Sequence, residues 1–346
     1  MGKIKFSVFA DFHYKKGMYI SSIKDFESIL SRANDEKVDF VVHCGDFANG
    51  YKQSPELINL YLNNPYNFNV YGIYGNHEME DSGNNMAFVT PRLTNDDSVV
   101  WGTKSGKIED GSIAYYYKDI NGFRLIFTDN NYSINPKTNE WEHSKEGSWG
   151  VPEGNIESYR FNPEQLKWFE ETIMDAVDKK LTCITFCHFG FCGDWCSVPD
   201  YKNILEIIDK ANAIREKSVL MCINGHNHTN NVKVLNNVVH FDVNTVRNGS
   251  WIPKTQHHYT DDMTYTFADY DENGVFLGEE IRPLTSMWQS INTTFFKDPL
   301  NAIVTVSTDG EIEIKGSKTE WLYGVNPPEQ VKQRSTEISD AKFSLK

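Results

Sequence analysis

Residues 4–13 read IKFSVFADFH, residues 38–49 read VDFVVHCGDFAN and residues 68–78 read FNVYGIYGNHE. Each holds a short apolar run that stops at a turn-prone residue: Asp11, Gly45-Asp46 and Gly75. Between the first two, Ile23, Phe26, Leu30 and Ala33 recur at helical spacing, with Ser21 or Ser22 able to cap. Between the second and third, Ser54-Pro55-Glu56 places a cap and a proline at the opening of another helix. Strand, helix, strand, helix, strand marks a largely parallel sheet with both faces covered, so the fold class is α/β.

Working outward, Tyr115–Tyr117 and Phe123–Thr128 read as strands around an Asn121-Gly122 turn. Asn162-Pro163 opens a helix carrying Leu166, Phe169, Ile173 and Val177, and Leu181–Cys187 is a strand ending at His188. Ile204, Ile207, Ile208, Ala211 and Ile214 line a further helix. Val219–Ile223, Val238–Val243 and Tyr265–Tyr270 are strands. Residues 130–161, 189–200 and 248–264 lack periodicity and read as long loops, the kind that rim functional sites. Ala302–Val306 and Glu311–Ile314 form a hairpin turned at Asp309-Gly310, and the chain beyond Gly324 is polar and expected to fray. The expected division is one α/β domain over residues 1–285 and a small C-terminal β extension over 286–346.

The 346 residues carry 34 Lys+Arg against 48 Asp+Glu, a net charge of −14, with 39% hydrophobic residues. That composition supports a real core and excludes a disordered chain. The negative balance argues against gripping nucleic acid or an anionic membrane. No run approaches the ~20 apolar residues of a membrane span. The apolar run before Asp11 is too short for a signal peptide, so a cytoplasmic protein is expected. Oligomeric state leaves no mark in the sequence. Six cysteines in a chain of this length imply no disulfide framework. Cys192 and Cys196 are close enough to pair or to share a zinc, though a zinc site wants more ligands.

Five clusters fall at the C-terminal ends of predicted strands: Asp11-Phe12-His13, Gly45-Asp46, Gly75-Asn76-His77-Glu78, His188 and Gly225-His226-Asn227-His228. Ligands of open α/β sheets bind outside those ends, so one crevice can collect all five. Carboxylate, amide oxygen and imidazole together suit manganese, iron or zinc. Seven such donors exceed the needs of one ion, so two metal ions are expected. His43 and His240, inside apolar strands, read as core histidines, and Glu78 as a group that orients a ligand or caps a helix. Asp129 and Asn130 read as a loop cap. Trp141, His143, Trp149, Trp195 and Trp251 sit in the long loops as stacking groups or anchors, and His257-His258 as surface.

The order D-x-H, GD, GNHE, H, GHxH resembles that of the calcineurin-like metallophosphoesterases, over roughly residues 4–245. The resemblance implies a four-layer α/β/β/α sandwich of two mixed sheets flanked by helices; the alternation alone fits a single doubly wound sheet equally well. It implies that Asp11, His13 and His228 hold one metal, that Asn76, His188 and His226 hold the other, and that Asp46 bridges both. His77 would stand beside the substrate as acid or transition-state donor, with Asp46 and His77 as the catalytic pair. The implied activity is hydrolysis of a small phosphodiester or phosphomonoester by a hydroxide activated by two metals (Mn²⁺, Fe²⁺/Fe³⁺ or Zn²⁺). A nuclease acting on DNA ends and a non-catalytic scaffold are the alternatives on the same fold.

Two departures narrow the resemblance. The arginines that Ser/Thr phosphatases carry beside GD and GNHE are replaced by Phe47-Ala48-Asn49 and Ile73-Tyr74. The tyrosine ligand of purple acid phosphatases is replaced by Asn49. The pattern is most similar to the cyclic-nucleotide-phosphodiesterase-like members. Its expected partner is a small phosphorylated substrate, with neither nucleic acid nor membrane.

Overall fold

The computed structural model describes residues 2–78, 80, 86–135, 137–143, 160–193, 197–252, 259–329, 331 and 335–346, without the side chains of residues 250 and 251. In chain order the elements are β1 (Lys3–Phe9), α1 (Ile23–Asp35), β2 (Phe40–His43), α2 (Pro55–Leu62), β3 (Asn69–Gly72), α3 (Met86–Val89), β4 (Val100–Trp101), β5 (Tyr116–Ile120), β6 (Phe123–Phe127), β7 (Tyr132–Ile134) and β8 (Trp141–His143). Then come α4 (Pro163–Asp178), β9 (Thr182–Cys187), α5 (Tyr201–Ile214), β10 (Val219–Asn224), β11 (Asn231–Leu235), β12 (Val238–Asp242), β13 (Asn248–Trp251), β14 (Thr264–Tyr270) and β15 (Phe276–Pro283). The chain closes with β16 (Thr293–Phe295), β17 (Ala302–Ser307), β18 (Glu311–Lys315), β19 (Ser317–Lys318), β20 (Glu337–Ile338) and β21 (Ala341–Ser344).

Two large sheets form, ordered β21-β18-β17-β1-β2-β3 and β11-β12-β10-β9-β6-β5-β4. β1, β2 and β3 are parallel, as are β6, β9, β10 and β12; the outer strands are antiparallel, so both sheets are mixed. Their inner faces meet through aromatic rings. Phe6 of the first sheet meets Phe186 of the second edge-on at 5.8 Å, and Tyr71 stacks on Phe127 at 5.2 Å. Outside, Phe26 of α1 packs on Phe9 of β1, while α4 and α5 cover Cys183, Cys187 and Cys222 of the second sheet. This is the two-sheet sandwich, and the single doubly wound sheet is excluded.

Local chemistry sets the element ends. Ser22 forms a capping box with Asp25, and the Asn162 side chain accepts from Gln165 N. Ser54 stands at the start of α2, but its hydroxyl donates to Gly50 O, so the side-chain cap expected there does not form. Asn121 and Gly122, both at positive φ, turn the β5–β6 hairpin.

The C-terminal extension is built onto the first sheet, where β17 pairs antiparallel with β1. The fraying expected beyond Gly324 does not occur at the end of the chain. β21 pairs with β18, Ala341 and Phe343 pack against the core, and Leu345 is buried. In the loop expected over 130–161, β7 and β8 form a short hairpin; Trp149, Trp195, Cys196, His257 and His258 lie outside the described residues. Cys44, Cys183, Cys187, Cys192 and Cys222 are free thiols. Among the described residues no helix is long and apolar enough to cross a membrane.

Candidate metal centre

The ends of β1, β2 and β3 in one sheet and β9 and β10 in the other converge. They bring together Asp11, His13, Asp46, Asn76, His77, His188, His226 and His228, which includes every residue expected from the sequence. Three groups of donors lie within metal-binding reach of one another: Asp11, His13 and His228; Asp46, His188 and His226; and His13, Asp46 and His77. Asn76 Oδ1 joins the second group, 3.1 Å from His188 Nε2.

The backbone aims these donors. Asp11, His13, Asp46, His226 and His228 all have φ between 50 and 69°, a region that ordinary side chains avoid. Neighbouring segments hold them there: Asp11 N donates to Gly45 O at 3.1 Å and His13 N to Asp46 O at 2.8 Å. His226 N donates to the Asp11 carboxylate at 2.9 Å. Close approach explains the glycines. A Cβ on Gly75 would stand 2.1 Å from Asp46 Oδ1, and one on Gly45 would stand 2.5 Å from His188 Nδ1.

The hydrogen bonds at the far side of each ring decide which nitrogen faces inward. His188 Nδ1 donates to Cys44 O at 2.8 Å, His228 Nδ1 to Asn248 O at 2.9 Å and His13 Nδ1 to Asn49 Oδ1 at 3.1 Å. The Nε2 lone pairs of His13 and His228 then face each other at 3.2 Å. Two lone pairs held at that distance repel unless a cation lies between them. The other separations agree: His228 Nε2 is 3.4 Å from Asp11 Oδ1, His188 Nε2 3.2 Å from Asp46 Oδ2, and His226 Nδ1 3.3 Å from His188 Nε2. Donors about 2.0–2.2 Å from a shared ion stand at such spacings. The residues present therefore fit two metal ions.

Electrostatics among the protein groups sorts the histidines. Burial pushes His13 and His226 well below the ordinary imidazole range, which favours the neutral, ligating form. Burial also opposes charge on His188 and His77, but the Asp46 carboxylate outweighs it, helped at His77 by Glu80, and lifts each to about 9. Burial works against a charged Asp46 too, yet His188 and His77 hold its carboxyl well below the usual range. His77 Nδ1 lies 2.5 Å from Glu80 Oε1, and its Nε2 is 3.9 Å from Asp46 Oδ2. Distance alone thus leaves His77 among the possible donors.

Glu78, expected to orient a ligand, accepts backbone N–H bonds from Asp46, Phe47 and Gly75 and ties the β2 and β3 loops together. His43 is a core histidine, stacked on Phe47 at 4.8 Å. Asp129 caps its loop by accepting from Asn131 N, and Asn130 Oδ1 accepts from His188 N. His143 turns inward, its Nε2 2.8 Å from Asp129 Oδ2, whereas Trp141 is exposed.

Sequence reasoning missed Asn49, Glu80 and Tyr19. Buried Asn49 accepts from His13 and donates to Tyr19 Oη and Glu80 Oε2, so one amide ties three groups around the centre. Its signal was available: a polar residue three positions after Asp46, inside an otherwise apolar run.

The family model for calcineurin-like phosphoesterases matches residues 4–230. The chain belongs to that family and is a metallophosphoesterase, a hydrolase with a candidate centre for two metals. Its fold is similar to that of a dimetal phosphatase from Danio rerio, at 14% identity and a TM-score of 0.58, with all of both chains covered. It also aligns with GAP50, the anchor in the inner membrane complex of Plasmodium, at 13% identity and a TM-score of 0.49, over 100% of this chain and 90% of that one. A putative 5'-nucleotidase from Staphylococcus aureus aligns at 16% identity and a TM-score of 0.44, over 82% of this chain and 54% of that one. No curated protein matches the chain in sequence.

Proposed function

We propose that the chain hydrolyses a small phosphoester, diester or monoester, at this centre. Asp11, His13 and His228 would hold one ion, Asn76, His188 and His226 would hold the other, and Asp46 would serve both. When bound, the two ions neutralise phosphate charge and make water acidic enough to attack near neutral pH. The protein does the rest. Asp46 is fixed by His77 N, which donates to its Oδ1 at 2.9 Å, and by Glu78 at its own amide. His77 takes the acid's place: Glu80 holds its Nδ1, leaving the Nε2 proton to meet the leaving oxygen or an equatorial phosphate oxygen. The observation that carries this reading is the opposed lone pairs of His13 and His228. A full donor set also weighs against a scaffold that has lost its ligands.

Metal analysis and turnover of bis(4-nitrophenyl) phosphate beside 4-nitrophenyl phosphate test the reading. The protein reconstituted with Mn²⁺ is expected to hold two equivalents and cleave at least one ester. His77→Ala should keep both ions while kcat falls ~10²–10⁴-fold, and Asp46→Asn should lose metal. A wild-type protein with neither metal nor turnover would overturn it.

A further inference from the structure

Three segments meet side by side at the metal centre, and residues 46–51 form the middle one. On one side His13 N donates to Asp46 O at 2.8 Å, Tyr14 N to Phe47 O at 3.1 Å and Asn49 N to Tyr14 O at 2.9 Å. On the other, Gly50 N donates to His77 O at 3.0 Å and Tyr51 N to Glu78 O at 3.1 Å. Asn49 is fully buried in this middle segment, which is tied to both neighbours. Its side chain serves both as well. Oδ1 accepts the Nδ1 proton of His13 at 3.1 Å. Nδ2 donates to Glu80 Oε2 at 2.9 Å and to Tyr19 Oη at 3.1 Å. Glu80 turns its other oxygen to His77 Nδ1 at 2.5 Å, which brings the Asn49 and His77 nitrogens to 2.9 Å. These partners fix the orientation of the amide. His13 presents a donor to it, because its Nε2 lone pair faces the centre, and the Glu80 carboxylate presents only acceptors.

We propose that Asn49 is a positioning residue that serves two parts of the centre at once, the first metal site through His13 and the leaving-group side through Glu80 and His77. Its acceptor end aims the His13 imidazole at its ion. Its donor end holds Glu80, and Glu80 holds the His77 ring in one orientation. The His13 half rests on the metal donor set alone, and the His77 half rests on the phosphoesterase reading. Asparagine suits the place because it carries an acceptor and a donor on one short, uncharged group. Aspartate lacks the donor and alanine lacks both.

Asn49→Asp therefore separates the two roles by changing one atom. The acceptor for His13 stays, while a second oxygen faces Glu80 across the 2.9 Å now bridged by a proton, where two carboxylates repel. Asn49→Ala removes both ends, and Glu80→Gln disturbs the His77 side alone. Mn²⁺ affinity is measured by calorimetry, and the His77 Nδ1 proton by NMR of isotope-labelled, Zn²⁺-loaded protein. Asn49→Ala should weaken Mn²⁺ about 10–100-fold and lose the His77 signal. Asn49→Asp and Glu80→Gln should hold Mn²⁺ within about threefold of wild type, yet also lose that signal. The same two variants should lower kcat about tenfold or more on phenyl phosphate and diphenyl phosphate, and less on the 4-nitrophenyl counterparts, whose leaving group needs less help. Equal loss of Mn²⁺ in Asn49→Asp and Asn49→Ala overturns the proposal, as does a His77 signal absent from wild type or unchanged in Asn49→Asp. A wild-type protein that binds Mn²⁺ but turns over no ester removes the phosphoesterase reading, and affinity and NMR then decide Asn49 by themselves. A wild-type protein that binds no Mn²⁺ overturns both.

Discussion

Gly75→Ala probes the geometry of the centre with one methyl group. A Cβ built there stands 2.1 Å from Asp46 Oδ1, 2.4 Å from Asp46 N and 2.8 Å from Asp46 Cγ. Non-bonded contacts of a Cβ do not fall below 3.0 Å, so the Asp46 carboxylate must withdraw by 0.9 Å or more. It cannot swing freely, since the Asp46 amide is held by Glu78 and its Oδ1 by His77 N. The 3.2 Å relation between Asp46 Oδ2 and His188 Nε2 is what gives way. A displacement near 1 Å at a reacting centre costs on the order of 10²-fold in rate, and overpacking of this kind costs about 1–3 kcal/mol of stability. The assay is threefold: metal equivalents by plasma mass spectrometry, kcat/KM on bis(4-nitrophenyl) phosphate, and the urea midpoint. Two full metal equivalents with kcat/KM within threefold of wild type would refute the claim that Asp46 bridges from this position.

Glu78→Gln keeps shape but leaves one acceptor oxygen for three backbone donors divided between Oε1 and Oε2. At least one bond is lost, at about 1–3 kcal/mol; an unchanged denaturant midpoint would overturn the role of Glu78 in tying the β2 and β3 loops together. Burial holds His43 down to about 3, so the folded chain takes up this proton less readily than the unfolded one. Its contribution is complete above the ordinary pKa of 6.5 and is lost as pH falls toward 3. His43→Leu should flatten the stability profile in that window by up to ~1.4 kcal/mol per pH unit, and an identical slope by chemical denaturation would count against it. Phe186→Ala, at the meeting of Phe6 and Phe127, should cost about 3–5 kcal/mol of unfolding free energy; a loss below 1 kcal/mol would mean the sheets repack.

The candidate centre was largely legible because its residues follow apolar runs: a strand that ends in Asp, Asn or His announces where its side chain goes. Even His188, with no glycine or acid beside it, is marked by the strand before it. The second tier was not legible. Asn49 acts on His13 across 36 residues and on Glu80 across 31, and Tyr19 and Trp288 meet across 269 residues, proximities that no local pattern encodes. Sheet order was hidden for the same reason, since nothing near β1 says that residues 302–307 will lie beside it. β21 was missed because AKFS is too short and too polar to register as a strand until Phe343 finds the core.

The left-handed turns at the strand ends carry a consequence for the choice of donor. Asp, Asn and His are the side-chain-bearing residues that tolerate positive φ best. Five donor positions with that backbone conformation therefore admit oxygen and imidazole nitrogen far more readily than others. Thiolate never becomes the natural solution, even with Cys44 adjacent in the chain to Gly45-Asp46. The donor set is thus constrained by the peptide backbone, toward the carboxylate and imidazole ligands that suit manganese, iron or zinc.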